Sequence, residues 1–228
     1  MTGCDNAADV RERPILFSGP MVRAIIDGRK TQTRRVVKDC KLAPLSRAKS
    51  VVEIESGYWG FNSYAGDAWR PNRDGDSMWT CSEICPYGKP GDQLYVREAW
   101  YYDIPPHKLP KDRPDWFEPD SMYYRADGEC CEQIPECQCY EVGPTPWRPS
   151  IHLPRWASRI TLEVVRVRVE RLCSISGVDA VAEGYECDFP GGHHGAFARA
   201  REAFLAGEWA APLRDMNPWV WVVEFKRL

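Results

Sequence analysis

Ile26-Asp27-Gly28-Arg29-Lys30-Thr31-Gln32-Thr33-Arg34-Arg35 is the stretch from which the rest of the chain can be read. Just upstream, Pro14 to Phe17 reads as a short strand. Ser18-Gly19-Pro20 then opens a helix, because proline presets the backbone of a first turn and its missing N–H costs nothing there. Met21, Ala24, Ile25 and Ile26 give the helix a buried face, and Gly28 suits the residue that closes it. Thr31 to Val37 alternates like a strand with one polar, arginine-bearing face. The unit is strand, helix, strand. Thr31, Thr33 and Arg35 share one face of the second strand, whereas Lys30 belongs to the opposite phase. Lys30 therefore reaches Thr33 only from the turn left by Gly28, where the backbone is free to re-aim it. Arg23, Arg29, Lys30, Arg34, Arg35 and Lys38 oppose only Asp27 here. Such a density of cations has two readings, a solvated basic strand edge or a site for an anion or polar base. A lysine crowded by arginines and partly desolvated loses proton affinity, and a neutral amine can take the proton of a threonine hydroxyl.

Outward from this unit the pattern dissolves between Lys38 and Trp79 into Gly, Asn, Asp and Ser with isolated aromatics, the look of a long irregular excursion. Order returns at Pro90-Gly91-Asp92, a turn followed by the strand Gln93 to Tyr101. Asp103 to Asp120 is proline-rich, and Met122 to Arg125 is a short strand leading to a cysteine-rich loop. Ile160 to Leu172 is the clearest strand. Ile160, Leu162 and Val164 share one phase and Val165, Val167 and Val169 the other, so a bulge is expected at Val164-Val165. Helices follow over Ser176 to Glu183, where Ser176 caps and Asp179 lies three residues on, and over Ala196 to Ala206. His193-His194, in a Pro- and Gly-rich run, reads as a connection before that last helix. The chain closes on the strand Trp219 to Lys226. Strands interrupted by short helices, without regular alternation, favour an α+β chain with a compact, curved mixed β-barrel. Residues 1–13 read as a polar tail and 14–228 as one domain with irregular insertions at about 38–86 and 103–149.

Composition bounds the function. The chain has 228 residues, 43% of them apolar, enough for a core that needs no staples. A formal charge of −3 argues against coating duplex nucleic acid through many phosphate contacts, while a small basic site stays allowed. The N-terminal residues carry Asp5, Asp9 and Glu12 with no apolar run, and Trp219 to Val223 is too short to span a bilayer, so a cytoplasmic chain without a membrane partner is expected. In that compartment the ten cysteines should be mostly reduced. Cys130, Cys131, Cys137 and Cys139, with Cys85 arriving from the first insertion, are candidate ligands of a structural zinc ion. Buried unliganded thiols and a labile disulfide are the other readings.

Gly28-Arg29-Lys30-Thr31-x-Thr33-x-Arg35 after a short helix, the Pro90-Gly91-Asp92 turn leading to Val96-Arg97-Glu98, the Ala182-Glu183-Gly184 helix end and the terminal Val222-Val223-Glu224-Phe225 strand together resemble an ASCH domain. Trp147-Arg148-Pro149-Ser150-Ile151-His152 and Pro154-Arg155-Trp156-Ala157-Ser158-Arg159-Ile160 are similar to the longer ASCH proteins commonly encoded by bacteriophages and prophages. The resemblance implies a PUA-like mixed β-barrel and, from the small members of the family, an amidohydrolase that removes the acetyl group from N4-acetylcytidine without a catalytic cofactor. Carried over by motif, it implies a catalytic set of Lys30, Thr33 and Glu183. Lys30 would take the proton of Thr33, Thr33 would attack the amide carbonyl, and Glu183 would either donate a proton to the departing amine or orient Lys30. Backbone N–H groups around Ser18 to Met21 are candidate oxyanion donors.

Arg35, Arg97, Ser150, Arg155 and Trp156 are further candidates for binding substrate. Trp156 could stack on a base or belong to the core, Arg155 could hold a phosphate or base edge, and Arg97 could contact a phosphate or carbonyl or pair with Glu98 or a neighbour. The rival class is a module that binds single-stranded RNA or a modified base, with a metal-independent nuclease as its variant. A factor that binds a host protein through the insertions is a third class.

Overall fold

The phase switch of the long strand sets the architecture. The structure is a computed structural model that describes residues 10–38, 50–55, 58–62, 85–102, 112–115, 122–128, 147–185, 193–207 and 215–228. In chain order its strands are β1 (Glu12–Leu16), β2 (Gln32–Val36), β3 (Ser50–Glu55), β4 (Tyr58–Asn62), β5 (Gln93–Arg97), β6 (Trp100–Tyr101), β7 (Tyr123–Tyr124), β8 (Thr161–Arg171) and β9 (Trp219–Arg227). Its helices are α1 (Gly19–Ile26), α2 (Gly177–Ala182) and α3 (His193–Gly207), making the molecule a mixed α+β fold. In β8 the register against β9 shifts between Val164 and Arg166. Val165 is pushed out to solvent, and Leu162 and Val164 before it and Val167 and Val169 after it all reach the same core. One inserted residue keeps an apolar pattern that changes phase on one side of the sheet.

Five strands form a sheet in the order β1-β5-β8-β9-β2. β1 runs parallel to β5, and the other neighbours are antiparallel. Val22 and Ile25 of α1 cover one face, packing with Ile15, Phe17, Val96, Val164, Val223 and Phe225. On the other face Ala180 of α2 and Phe204 and Leu205 of α3 pack with Val220 and Val222. A fully buried Leu, Val or Phe is worth about 1.5–3 kcal/mol, so these clusters hold the fold. They also sort β2. Thr33 and Arg35 lie opposite Val223 and Trp221 of the first core, whereas Arg34 and Val36 lie opposite Val222 and Val220 of the second.

Several expectations are corrected. The sheet does not close into a barrel: β1 and β2 are its edges, and the described residues join them by a side chain, with Arg35 donating to the Leu16 carbonyl at 2.5 Å. The backbone leaves β1 at that point to enter α1, which removes the partner a closing ladder needs. The irregular excursion after Lys38 contains the antiparallel pair β3–β4. The strand expected over Gln93 to Tyr101 breaks after Arg97, and its far end pairs instead with Tyr123–Tyr124. His193-His194 opens α3 and does not precede it. The Pro90-Gly91 turn forms as expected, closed by the Asp92 N–H on the Lys89 carbonyl at 2.9 Å. Among the described residues no helix is long and apolar enough to cross a membrane.

Candidate active site

Lys30 is aimed by what precedes it. Gly28 adopts φ +74°, which a side chain would strain, and thereby turns the chain out of α1. The Lys30 N–H then bonds the Ala24 carbonyl at 2.9 Å and the Thr31 N–H bonds the Ala182 carbonyl at 2.8 Å. These bonds place Lys30 in an isolated antiparallel bridge with Glu183. Glu183 itself is the C-cap of α2, whose other end is locked by a capping box between Ser176 and Asp179. Gly184 follows at φ +96°, and a Cβ there would stand 2.8 Å from that of Ala24 and 3.2 Å from that of Lys30. Only glycine lets the end of α2 approach Lys30 this closely.

The two side chains meet in full burial. Lys30 Nζ donates to Glu183 Oε2 at 2.9 Å and to the Glu183 carbonyl at 2.7 Å, and neither side chain is exposed at all. The other carboxylate oxygen, Oε1, accepts from Arg34 at 3.0 Å, and the Arg34 side chain is equally sealed. Glu183 thus lies beside the start of β2, within reach of side chains from both of its faces. Arg34 also donates to Glu170 of β8 at 3.0 Å and stands 3.6 Å from Asp179. Arg168 joins Glu170, Asp179 and Glu224 around it, and Gln32 donates to the Asp179 carbonyl at 2.8 Å and its carboxylate at 3.1 Å. Partial burial raises the Asp179 carboxyl, but the bonds from Ser176 and Gln32 and the charge of Arg34 together outweigh it and hold the group below its ordinary value.

The opposite face of β2 carries Thr33, which is buried, and Arg35. Phe17 neighbours both Arg35 and Lys30, its ring centroid 5.3 Å from the Arg35 guanidinium and 5.6 Å from the Lys30 ammonium. Ser18, directly after Phe17, is the exposed N-cap of α1, and its side chain makes no capping bond.

The remaining candidates do not join this centre. On β5, Leu94 and Val96 point into the core with Phe17, so Tyr95 and Arg97 occupy the other face. Arg97 donates to the Ile151 carbonyl at 3.0 Å and the Tyr95 hydroxyl at 3.2 Å. Arg155 grips Glu12 through two bonds of 2.9 and 2.5 Å and lies 5.1 Å from the Tyr95 ring. Trp156 packs beside Trp100, Tyr102, Met122, Leu153 and Ala157 in a third core cluster, and Ser150 begins a short turn whose last N–H its carbonyl accepts. Cys85 is buried in the core cluster with Phe17 and Val96, and burial pushes its thiol up to about 12. Cys130, Cys131, Cys137 and Cys139 lie outside the described residues.

Arg34 and Phe17 were not singled out by the sequence. A signal for Arg34 existed, since Gln32 and Arg34 fill the phase opposite Thr33 and Arg35, so an edge strand carries polar side chains toward both layers. No family model matches the chain, and no curated protein or solved structure matches it either.

Proposed function

We propose that the chain is an ASCH-type domain of PUA-like descent and an amidohydrolase acting on an acylated cytosine nucleoside. The observation that carries this reading is the sealed contact of Lys30 with Glu183 at 2.9 Å, between residues far apart in the chain and beside the strand that bears Thr33. Two of the three N–H bonds of the Lys30 ammonium are taken by Glu183, which leaves one direction for a further partner.

For this step Lys30 first gives up one ammonium proton to solvent; the neutral amine keeps its two N–H bonds to Glu183 and takes the proton of the Thr33 hydroxyl as its oxygen bonds to the acyl carbon, and the carbonyl electrons move onto oxygen. The backbone N–H groups of the first turn of α1, which have no acceptor within the helix, suit that oxyanion. When the carbonyl re-forms, the carbon–nitrogen bond breaks and Lys30 returns the proton to the departing exocyclic amine. Water, deprotonated by the same amine, then cleaves the threonyl ester, releasing the carboxylic acid and restoring the hydroxyl. Between the two functions open to Glu183, the geometry favours orienting Lys30, because its two carboxylate oxygens are already engaged, one by Lys30 and the other by Arg34.

The test is acetate release from N4-acetylcytidine, followed by chromatography of the nucleoside. Wild type and Thr33→Ser are expected to turn over, and Thr33→Val, which keeps the volume of the buried side chain, is expected to be inactive while folded. Wild-type protein that leaves a panel of N4-acylated cytidines intact overturns the reading.

A further inference from the structure

The geometry points to Arg34 as the positioning residue of this centre: it fixes the plane of the Glu183 carboxylate that holds Lys30. The inference rests on the reading above and deepens it. A carboxylate at the end of a short helix can rotate, its two oxygens are equivalent, and a single bond from Lys30 leaves its plane free. Here Arg34 donates to Oε1 at 3.0 Å while Lys30 donates to Oε2 at 2.9 Å, and the two bonds together set that plane. Arg34 is itself held from behind, by Glu170 at 3.0 Å and the ring of Phe204 at 6.0 Å from its guanidinium. Its planar fork, which serves two carboxylates from fixed directions, is what a lysine at this position lacks. The chain of contacts runs Glu170, Arg34, Glu183, Lys30, from the second layer of the fold to the first. Arg34 itself faces away from Thr33, across the sheet. It acts on Thr33 chemistry through Glu183 and Lys30 alone.

Two variants test this, with N4-acetylcytidine as probe and circular dichroism to establish folding. Arg34→Met is expected to lower kcat about 100-fold, the size of effect that a misplacement near 1 Å produces, with KM nearly unchanged. Arg34→Lys is expected to recover part of that loss. Should Arg34→Met not fold, Glu170→Gln serves, since Glu170 is partly exposed and its loss frees only the rear anchor; the expected fall in kcat is about tenfold. A rise in KM at constant kcat, or a fall in kcat no larger than the unfolded fraction explains, overturns the proposal. A second readout does not depend on turnover. Acetic anhydride labelling with peptide mass analysis is expected to leave Lys30 protected in wild type and modified in folded Arg34→Met or Glu170→Gln. Equal protection in all three overturns the positioning claim even if the wild-type enzyme is active. Inactive wild type with the expected labelling overturns the hydrolase reading and leaves the arrangement standing.

Discussion

Arg159 and Arg34 each hold two carboxylates through hydrogen bonds, but water reaches the side chain of Arg159 and not that of Arg34. Arg159 forks onto Glu98 at 2.9 and 3.0 Å and onto Asp127 at 2.7 and 2.8 Å, with its guanidinium 4.1 Å from the Tyr124 ring. Its side chain is 29% exposed and that of Asp127 43%. Arg34, between Glu183 and Glu170, is at 0%, as are Glu183 and Lys30. The Arg159 cluster is a clip tying the end of β5 to the turn at Arg125–Asp127 and the approach to β8, and solvent pays part of its desolvation. The Arg34 cluster has such relief only at its rim, where Glu170 and Asp179 are 26% exposed, and none at Arg34, Glu183 or Lys30. Buried ion pairs roughly break even against well-packed apolar side chains, so a fold that needed only a staple here had less costly choices. The difference is one of desolvation, which only the Arg34 cluster bears in full at its centre.

The largest expected effect breaks the sealed cluster. Glu183→Ala leaves Lys30 and Arg34 facing each other without their shared anion, and the loss should reach about 3–5 kcal/mol in urea denaturation. A loss below about 1 kcal/mol, the range of surface pairs, would erase the contrast between the clusters.

Arg159→Ala should cost less, about 1–3 kcal/mol at neutral pH, and the cost should depend on pH. Burial raises the Glu98 carboxyl, and the bonds and charge of Arg159 only partly oppose it. Between the ordinary carboxylate value and this raised one, the folded chain binds more protons than the unfolded chain, so the Glu98 contribution to stability falls as pH rises. Without Arg159 the folded-state value climbs further and the window widens upward. The deficit of the variant should therefore shrink as pH is lowered from neutral through the raised value of Glu98. A deficit that is flat across this range would mean Glu98 stays charged, and the two clusters would then behave alike.

How far the sequence carried this contrast depends on how local each part is. The bulge in β8 was legible because Val164 and Val165 interrupt a strong alternation, and the cap of α2 because Ser176 and Asp179 lie within one turn. Lys30, Thr33 and Glu183 were nameable through short motifs. The partners of Arg34 were not, because Glu170 reaches it only when β9 lies between β8 and β2, an outcome of long-range register. The hairpin β3–β4 was hidden for another reason: glycine, asparagine and aspartate around it outweigh two short β-prone runs. Arg97 and Arg155 show the other limit: residue type alone did not tell that Arg97 bonds the Ile151 carbonyl, or that Arg155 bonds Glu12, because those partners come from distant stretches of chain.

The smallest expected effect sharpens the comparison from outside. Glu12 and Arg155 form an ion pair as well aligned as those of Arg34, but their side chains are 37% and 42% exposed. The hydrogen bonds from Arg155 hold the Glu12 carboxyl below its ordinary value, so its modest contribution is present above that value and fades as pH falls through the lowered one. Arg155→Ala should change stability by less than about 1 kcal/mol, and salt near 1 M should remove the difference. Its acetate release from N4-acetylcytidine should match wild type, because Arg155 and the Phe17 core lie on opposite faces of β5. Were Arg155→Ala to abolish turnover while barely altering the urea midpoint, the reactive centre would have to draw on both faces of the sheet, and burial would no longer separate chemistry from scaffold.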